Sequence, residues 1–362
     1  SETHQYLDDN PTGTSSDNYA ISLTLTDDDT GSDTDNTTLT VSNVAPTLSA
    51  VAATNVNENG TTTLTGTITD PGTLDTFSLV VNWGDGSAPQ TFNYAAGTTS
   101  FNETHTYLDD NPTGTASDNV TINLTLTDDD TGSDTDSDTI TVSNVAPTLS
   151  GVTATANVNE GGVVTLGGTI TDPGTLDTFS LVVNWGDGSA PQTFNYAAAT
   201  TTFSETHTYQ DDNPTATPSD NITISLTLTD DDTGSDTDSA SITANNVAPT
   251  LSAVAATNIN ENGSTTLSGT ITDPGTLDTF SLVVNWGDGS APETFNYGAG
   301  TASFSETHTY LDDNPTGTPS DGYTISLSLT DDDTGNDTDS ATLTVSNVAP
   351  ALGSLIISSP IN

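Results

Sequence analysis

The chain has 362 residues, among them 50 Asp and Glu, 4 His, and no Lys, Arg, Cys or Met, for a formal charge of −50. Without cationic side chains it cannot neutralise nucleic-acid phosphate, be drawn to anionic lipid headgroups or clamp a transferred phosphoryl group with Lys or Arg. Without Cys it has no disulfide framework, thiolate chemistry or Cys-ligated zinc. Clustered carboxylates are left mainly with protons or metal cations to neutralise them. Apolar residues make up only 31% of the chain and Ser plus Thr roughly a third. Low hydrophobicity with high net charge is the composition of disordered chains, so an ordered structure must come from a repeated pattern. No apolar run is long enough to span a membrane.

The repeat is plain. Trp83, Trp185 and Trp286 recur at about 100 residues, as do His4, His105, His207 and His308, and the prolines of an Asn-Val-Ala-Pro step, Pro46, Pro147, Pro249 and Pro350. The segment GTITDPGTLDTFSLVVNWGDGSAP occurs unchanged at 66–89, 168–191 and 269–292. A unit of this length has the size of one self-sufficient domain rather than a solenoid turn. Three whole units are expected, at 46–146, 147–248 and 249–349. Residues 1–45 match the C-terminal part of such a domain, and 350–362 would be the first strand of a following one. The chain therefore reads as an excerpt of a longer array.

Within 46–146 the first strand is expected to begin at the Asn-Val-Ala-Pro step. Further strands are expected at about 62–69, 76–83, 90–94, 99–107, 119–127 and 138–143. In the third, Phe77, Leu79, Val81 and Trp83 alternate with polar residues, and in the sixth Val120, Ile122, Leu124 and Leu126 do. Period-two alternation marks half-buried strands, and Thr on the outer face suits a pleated sheet. Turn clusters (DPGT, GDGSAP, DDNPTGT, DDDTGSDTD) separate the runs. Seven strands without a helical pattern predict an all-β tandem array of immunoglobulin-like antiparallel sandwiches.

The ordered motifs VVNWGDGS, THTYLDD, LTLTDDDTG and TVSNVAP resemble the polycystic-kidney-disease-type (PKD) domain in its tandem bacterial form, over essentially all of 1–349. The family often carries Trp-Asp-Phe before its Gly-Asp-Gly, where this chain has Asn82-Trp83. The resemblance implies a β-sandwich from a cell-surface or secreted protein, in an adhesive or spacer role.

In such a sandwich alternate loops share a pole. The leading pole collects Asp70, Asp75, Asp128, Asp129, Asp130, Asp134 and Asp136, and the trailing pole Glu58, Asp85, Asp109 and Asp110. Stacking domains end to end sets Glu58, Asp85, Asp109 and Asp110 against Asp172, Asp177, Asp230, Asp231 and Asp232 around Asn144. The next junction sets Glu160, Asp187, Asp211 and Asp212 against Asp273, Asp278, Asp331, Asp332 and Asp333 around Asn246. Acids this close repel unless a divalent ion lies between them. Ca2+, which takes 6–8 oxygens in loose geometry, is the expected ligand. The arrangement resembles cadherin-type junctions, although the Asn144–Pro147 linker lacks acidic residues. Acidic loops are ordinarily solvated surface, and a single site inside DDDTGSDTD is the competing metal arrangement.

Other motifs carry less chemistry. His105 is expected to tie its strand to a neighbouring loop, Trp83 to fill core, and Gly84-Asp85-Gly86 to form a tight turn. Asn36, Asn59, Asn102, Asn119, Asn123, Asn221, Asn262 and Asn336 begin N-x-S/T sequons and are candidate glycan acceptors, at a count that chance alone predicts (about ten). No catalytic constellation is present. The sequence thus points to a non-catalytic, extracellular structural protein: a calcium-stiffened stalk of a surface adhesin, or a fibre subunit. Its expected partners are further repeats or other copies of the chain, and surface glycans. The alternative is a carbohydrate-binding or spacer region of a secreted hydrolase, for which Tyr19 and Tyr323 would be the solvent-facing aromatics.

Overall fold

A computed structural model describes residues 1–9, 12–110, 112–212, 215–314 and 316–354. Strands β1 (Ser16–Thr26) and β2 (Ser32–Ser42) form a two-stranded antiparallel hairpin. The first full unit follows with β3 (Thr47–Ala53), β4 (Val56–Asn57), β5 (Gly60–Thr69), β6 (Phe77–Asn82), β7 (Gln90–Tyr94), β8 (Ser100–Tyr107), β9 (Ser117–Asp128) and β10 (Ser133–Ser143). A three-stranded sheet, β3-β5-β8, faces a five-stranded one, β4-β10-β9-β6-β7. This is an immunoglobulin-like sandwich with its opening strand split between the two sheets.

The second unit repeats the order with β11 (Thr148–Ala154), β12 (Asn157–Asn159), β13 (Val163–Thr171), β14 (Phe179–Asn184), β15 (Gln192–Tyr196), β16 (Thr202–Thr208), β17 (Ser219–Asp230) and β18 (Ser235–Asn245). The third, from Thr250 to Ser346, has the same two sheets. The chain is a tandem array of all-β sandwiches. The expected opening strand of a further unit at 350–362 falls largely outside the described residues, and 350–354 hold no strand.

Each sandwich buries its own core, built by the alternation seen in sequence. In the first, Leu64, Leu79, Val81, Trp83, Ile122 and Leu126 point inward and are almost wholly buried. Tyr107 reaches across the core, its hydroxyl donating to the Trp83 carbonyl at 2.8 Å. His105 stacks on the Trp83 ring (4.7 Å, 7°) and meets Asp85 Oδ2 at 2.7 Å. Strand β8 is thereby tied to the Gly84-Asp85-Gly86 turn, whose glycines have φ of +84°. The same knot recurs at His207–Asp187 and His308–Asp288.

Three expectations are corrected. The seventh strand starts at Ser133, not 138, because the acidic hairpin turns over only 129–132. Asp134 and Asp136 are therefore strand residues on the half-buried face of β10, not loop residues. Asp134 accepts the Leu48 N–H (2.8 Å), and its equivalents Asp236 and Asp337 accept those of Leu149 and Leu251. The two-residue strand β4, formed where the chain crosses between sheets, was not anticipated. Finally, Tyr323 is buried in the third core and Tyr19 is half-buried with its hydroxyl on the Asp8 carbonyl, so neither faces solvent as a sugar platform would.

One substitution among the repeats has a measurable consequence. The Trp83 and Trp185 indole N–H groups donate to Gln90 and Gln192 at 2.7 Å. The third repeat has Glu293 there, whose Oε1 lies instead 3.7 Å from His308 Nδ1, and the buried Trp286 indole nitrogen has no partner among the described residues. Glu293→Gln should restore the bond and stabilise the third sandwich by about 1 kcal/mol. Chemical denaturation resolving that sandwich would show the gain as a higher midpoint.

Candidate metal centres at the domain junctions

Each junction is built from two loops of one sandwich and two of the next. Between the first and second, Glu58 follows β4, and Asp109 and Asp110 follow β8. Asp172 and Asp177 lie between β13 and β14, while Asp230–Asp232 span the β17–β18 turn. The backbones meet directly, Thr175 N–H donating to the Leu108 carbonyl at 3.2 Å. The linker joins in: Asn144 Nδ2 donates to Asp230 Oδ2 (3.0 Å), and Val145 N–H to Glu58 Oε1 (2.7 Å). The second junction repeats these contacts with Thr276–Gln210, Asn246–Asp331 and Val247–Glu160.

Local turns fix the ligand loops. Asp172 Oδ1 accepts from Gly174 N–H, Asp230 Oδ1 from Gly234 N–H and Asp231 Oδ1 from Thr178 N–H. A Cβ at position 174 would lie 2.5 Å from Glu58 Oε2 and from an Asp177 oxygen, so any larger residue there would push these carboxylates aside. The same holds at Gly275 beside Glu160 and Asp278.

What remains is a pocket of acid oxygens. Glu58, Asp110 and Asp177 are 3%, 0% and 0% exposed. Glu58 Oε2, both Asp110 oxygens, Asp172 Oδ2, both Asp177 oxygens and Asn144 Oδ1 are buried with no amide, hydroxyl or imidazole donor on them, Asp110 and Asp177 facing the carboxyls of Asp232 and Asp109 instead. The second junction leaves the corresponding seven atoms on Glu160, Asp212, Asp273, Asp278 and Asn246. Ligand atoms of Glu58, Asp172 and Asp177 lie within 4.8 Å of one another, as do those of Glu58, Asp109 and Asp110, and of Asp109, Asp177 and Asp232. These triads overlap, so the cluster offers more than one cation position. Buried carboxylate oxygens without partners are costly, and a hard divalent ion wanting 6–8 oxygens fits this donor set.

The electrostatics agree. Burial, with nearby carboxylates adding to it, pushes Glu58 up to about 7 and Glu160 up to about 8. Asp172 and Asp273 rise to about 6 for the same reason. Asp177, facing Glu58 and Asp172, is also raised.

The residues singled out in sequence do not all converge. Asp85 and Asp187 are corrected. Their oxygens are taken locally, Asp85 by His105 and by the Ser87 amide and hydroxyl, and Asp187 by His207 and Ser189, so neither joins the cluster. Asp231 and Asp332 are exposed, each capping a loop through one oxygen. Asp230 and Asp331 are buried with both oxygens hydrogen-bonded to Gly and Asn. Asp333, like Asp232, is buried, and burial raises both.

A further cluster joins the 1–45 segment to the first sandwich, with Asp8, Asp75 and Asp130 in one triad and Asp70, Asp75 and Asp128 in another. Asp8-Asp9 is the recurrence of Asp109-Asp110, a signal present in the sequence. All eight sequon asparagines are exposed.

No family model matches the chain, and no curated protein matches it. The motif resemblance to PKD-type domains therefore has no family match beside it. Among solved structures, the chain is similar to a tetra-tandem repeat in the extending region of a large adhesion protein. That match has 18% identity and a TM-score of 0.44, over 91% of this chain and 81% of that one. It is also similar to Sidekick-1 immunoglobulin domains 1–5 (11%, TM-score 0.38, 84% and 60%). A third likeness is to Drosophila N-cadherin EC1-4 (12%, TM-score 0.26, 95% and 86%). The immunoglobulin-like class itself rests on the strand order above. No helix among the described residues is long and apolar enough to cross a membrane.

The raised acids give a pH prediction. In separated domains these groups titrate near 4, and docking raises them, so docking takes up protons. With a chelator present, this contribution to docking should be fully present below about pH 4 and be lost as pH climbs through about 6 to 8. Scattering profiles of the divalent-free chain across this range should show increasing flexibility. A profile that tightens toward pH 8 would contradict the assignment.

Proposed function

We propose that this chain is a non-catalytic spacer of PKD-like type from a secreted or cell-surface protein, and that divalent cations, calcium first among them, bind its junctions and stiffen it. It would serve as the stalk of an adhesin or as a fibre subunit, with further repeats as its immediate partners. The observation that carries this reading is the set of seven buried oxygens without a hydrogen-bond donor recurring at both full junctions of a chain without Lys or Arg. Direct backbone contact between neighbours supports it, because a cation bridging both sides would hold one angle at each junction. The 11-residue β10 gives a rise of about 36 Å per unit at 3.3 Å per residue, so rigid stacking would convert repeat number into reach. Absence of Lys and Arg also denies trypsin-like proteases a cleavage site, which suits an extracellular setting. The exposed sequons remain candidate glycan acceptors, six on strands and two, Asn59 and Asn262, in turns.

Calorimetric titration with Ca2+ and scattering with and without chelator test the reading together. Calcium should bind and lengthen the maximum dimension, and chelation should reverse it. Asp177→Asn should weaken binding roughly tenfold or more at the first junction while sparing the second. An unchanged scattering profile and no binding heat would refute the proposal.

A further inference from the structure

Glu58 does more than line the cluster. Its own N–H donates to the Ser143 carbonyl at the end of β10 (3.0 Å), and its Oε1 accepts the Val145 N–H. It directly follows β4, which pairs in parallel with β10 through only Val56↔Val142 and Asn57↔Ser143, helped by Asn55 Oδ1 accepting the Thr141 N–H (2.9 Å). One side chain therefore joins the strand pair that closes the first sandwich to the junction. Its remaining oxygen, on a side chain 3% exposed, is aimed without a partner at Asp172 and Asp177 of the next sandwich. Glu160 repeats the glutamate's own contacts, with Thr243 N–H donating to the Ala156 carbonyl where the first unit uses Asn55. Its N–H meets the Asn245 carbonyl (3.0 Å), its Oε1 accepts from Val247, and β12 pairs with β18 over three residues.

We propose that cation occupancy is transmitted through Glu58 and Glu160 to the parallel strand pair of the preceding sandwich, locking that pair against opening. The proposal rests on the cation reading above. Its direction follows from the anchoring of the ligands. On the following sandwich, Asp172 is held by Gly174 of its own loop, while Asp230 ends β17 and Asp231 accepts from Thr178 beside β14, and β14 pairs with β17 over six residues. On the preceding side, Glu58 is continuous with the shortest strand of its sandwich. Without a cation, the buried Glu58 charge faces like charges within 4.8 Å, and the element best able to yield is a two-residue pairing.

The third sandwich is an internal control. Glu261 makes the same bonds, to Ser346 (2.9 Å) and Val348 (2.7 Å), but faces no following domain among the described residues. In hydrogen exchange on the 362-residue chain, segments 55–60, 157–162 and 258–263 report the three pairs. If opening requires loss of the cation, Ca2+ at a hundred times its Kd should slow exchange on the order of 100-fold in the first two and leave the third unchanged. Glu58→Gln, which keeps the bonds to Ser143 and Val145, should abolish the slowing at 55–60 while 157–162 still responds. Calorimetric binding with exchange at 55–60 and 157–162 unaltered by Ca2+ would overturn this inference and leave the cation reading standing. Absence of binding would remove both. The comparison of segments in the unsubstituted chain decides the matter even if the variant does not fold.

Discussion

A carboxylate taken out of water needs a partner, and this chain has almost no cationic ones to give it. The architecture is arranged around that constraint. Some acids find backbone donors: Asp134 holds Leu48 of the facing strand, and Asp128 closes its own hairpin through Gly132. Some find a histidine, as Asp85 does in the His105–Trp83 stack. Glu103 takes the hydroxyl of Tyr94. These acids are neutral in their consequences, since each satisfies a donor that the fold would otherwise bury alone. Glu58, Asp110, Asp172 and Asp177 are what this process leaves over, each with at least one oxygen buried where two domains meet and given no hydrogen-bond donor among the described residues.

Two levels of stability follow. Each sandwich closes its own apolar core around a fully buried Trp and Tyr, so its folding draws on hydrophobic burial that ions do not alter. The contact between sandwiches carries a surplus of like charge, so protons or cations from solution would bear on it directly. Glu58 and Glu160 lie on the boundary of these levels, hydrogen-bonded to the closing strand of one domain while facing the loops of the next.

The sandwich was legible because period-two alternation in 77–83 and 120–126 leaves no other regular structure, and 90–94 was bounded correctly by its flanking turns. Asp134 and Asp136 hid the first five residues of β10, because acids at alternate positions read as loop. Only the Leu48 amide that Asp134 accepts explains why the strand begins there. The two-residue β4 carries no periodicity at all. Most junction acids could be placed from loop order alone. Asp85 could not be separated from them that way, since its pole is correct and only the His105 ring, recurring at the same offset in every unit, diverts it. Gly174 was visible as a turn residue, but its closeness to Glu58 belongs to the neighbouring domain.

Where the charge is absent matters as much as where it lies. The exposed positions of β5, β8 and β9 are Thr, Ser and Asn, among them Thr61, Thr65, Asn102, Thr104, Asn119, Thr121 and Thr125, and none is acidic. Charge on these walls would stiffen the array by general self-repulsion that salt would erode. Placed at the poles instead, it concentrates the repulsion in junctions about 36 Å apart by the length of β10. At physiological ionic strength the screening length is about 8 Å, so one junction hardly senses the next. On the cation-binding proposal, each junction would then act as a separate joint, and its near-identical residues would give every joint the same threshold. Added repeats would change how far the array reaches without changing the cation level at which it stiffens.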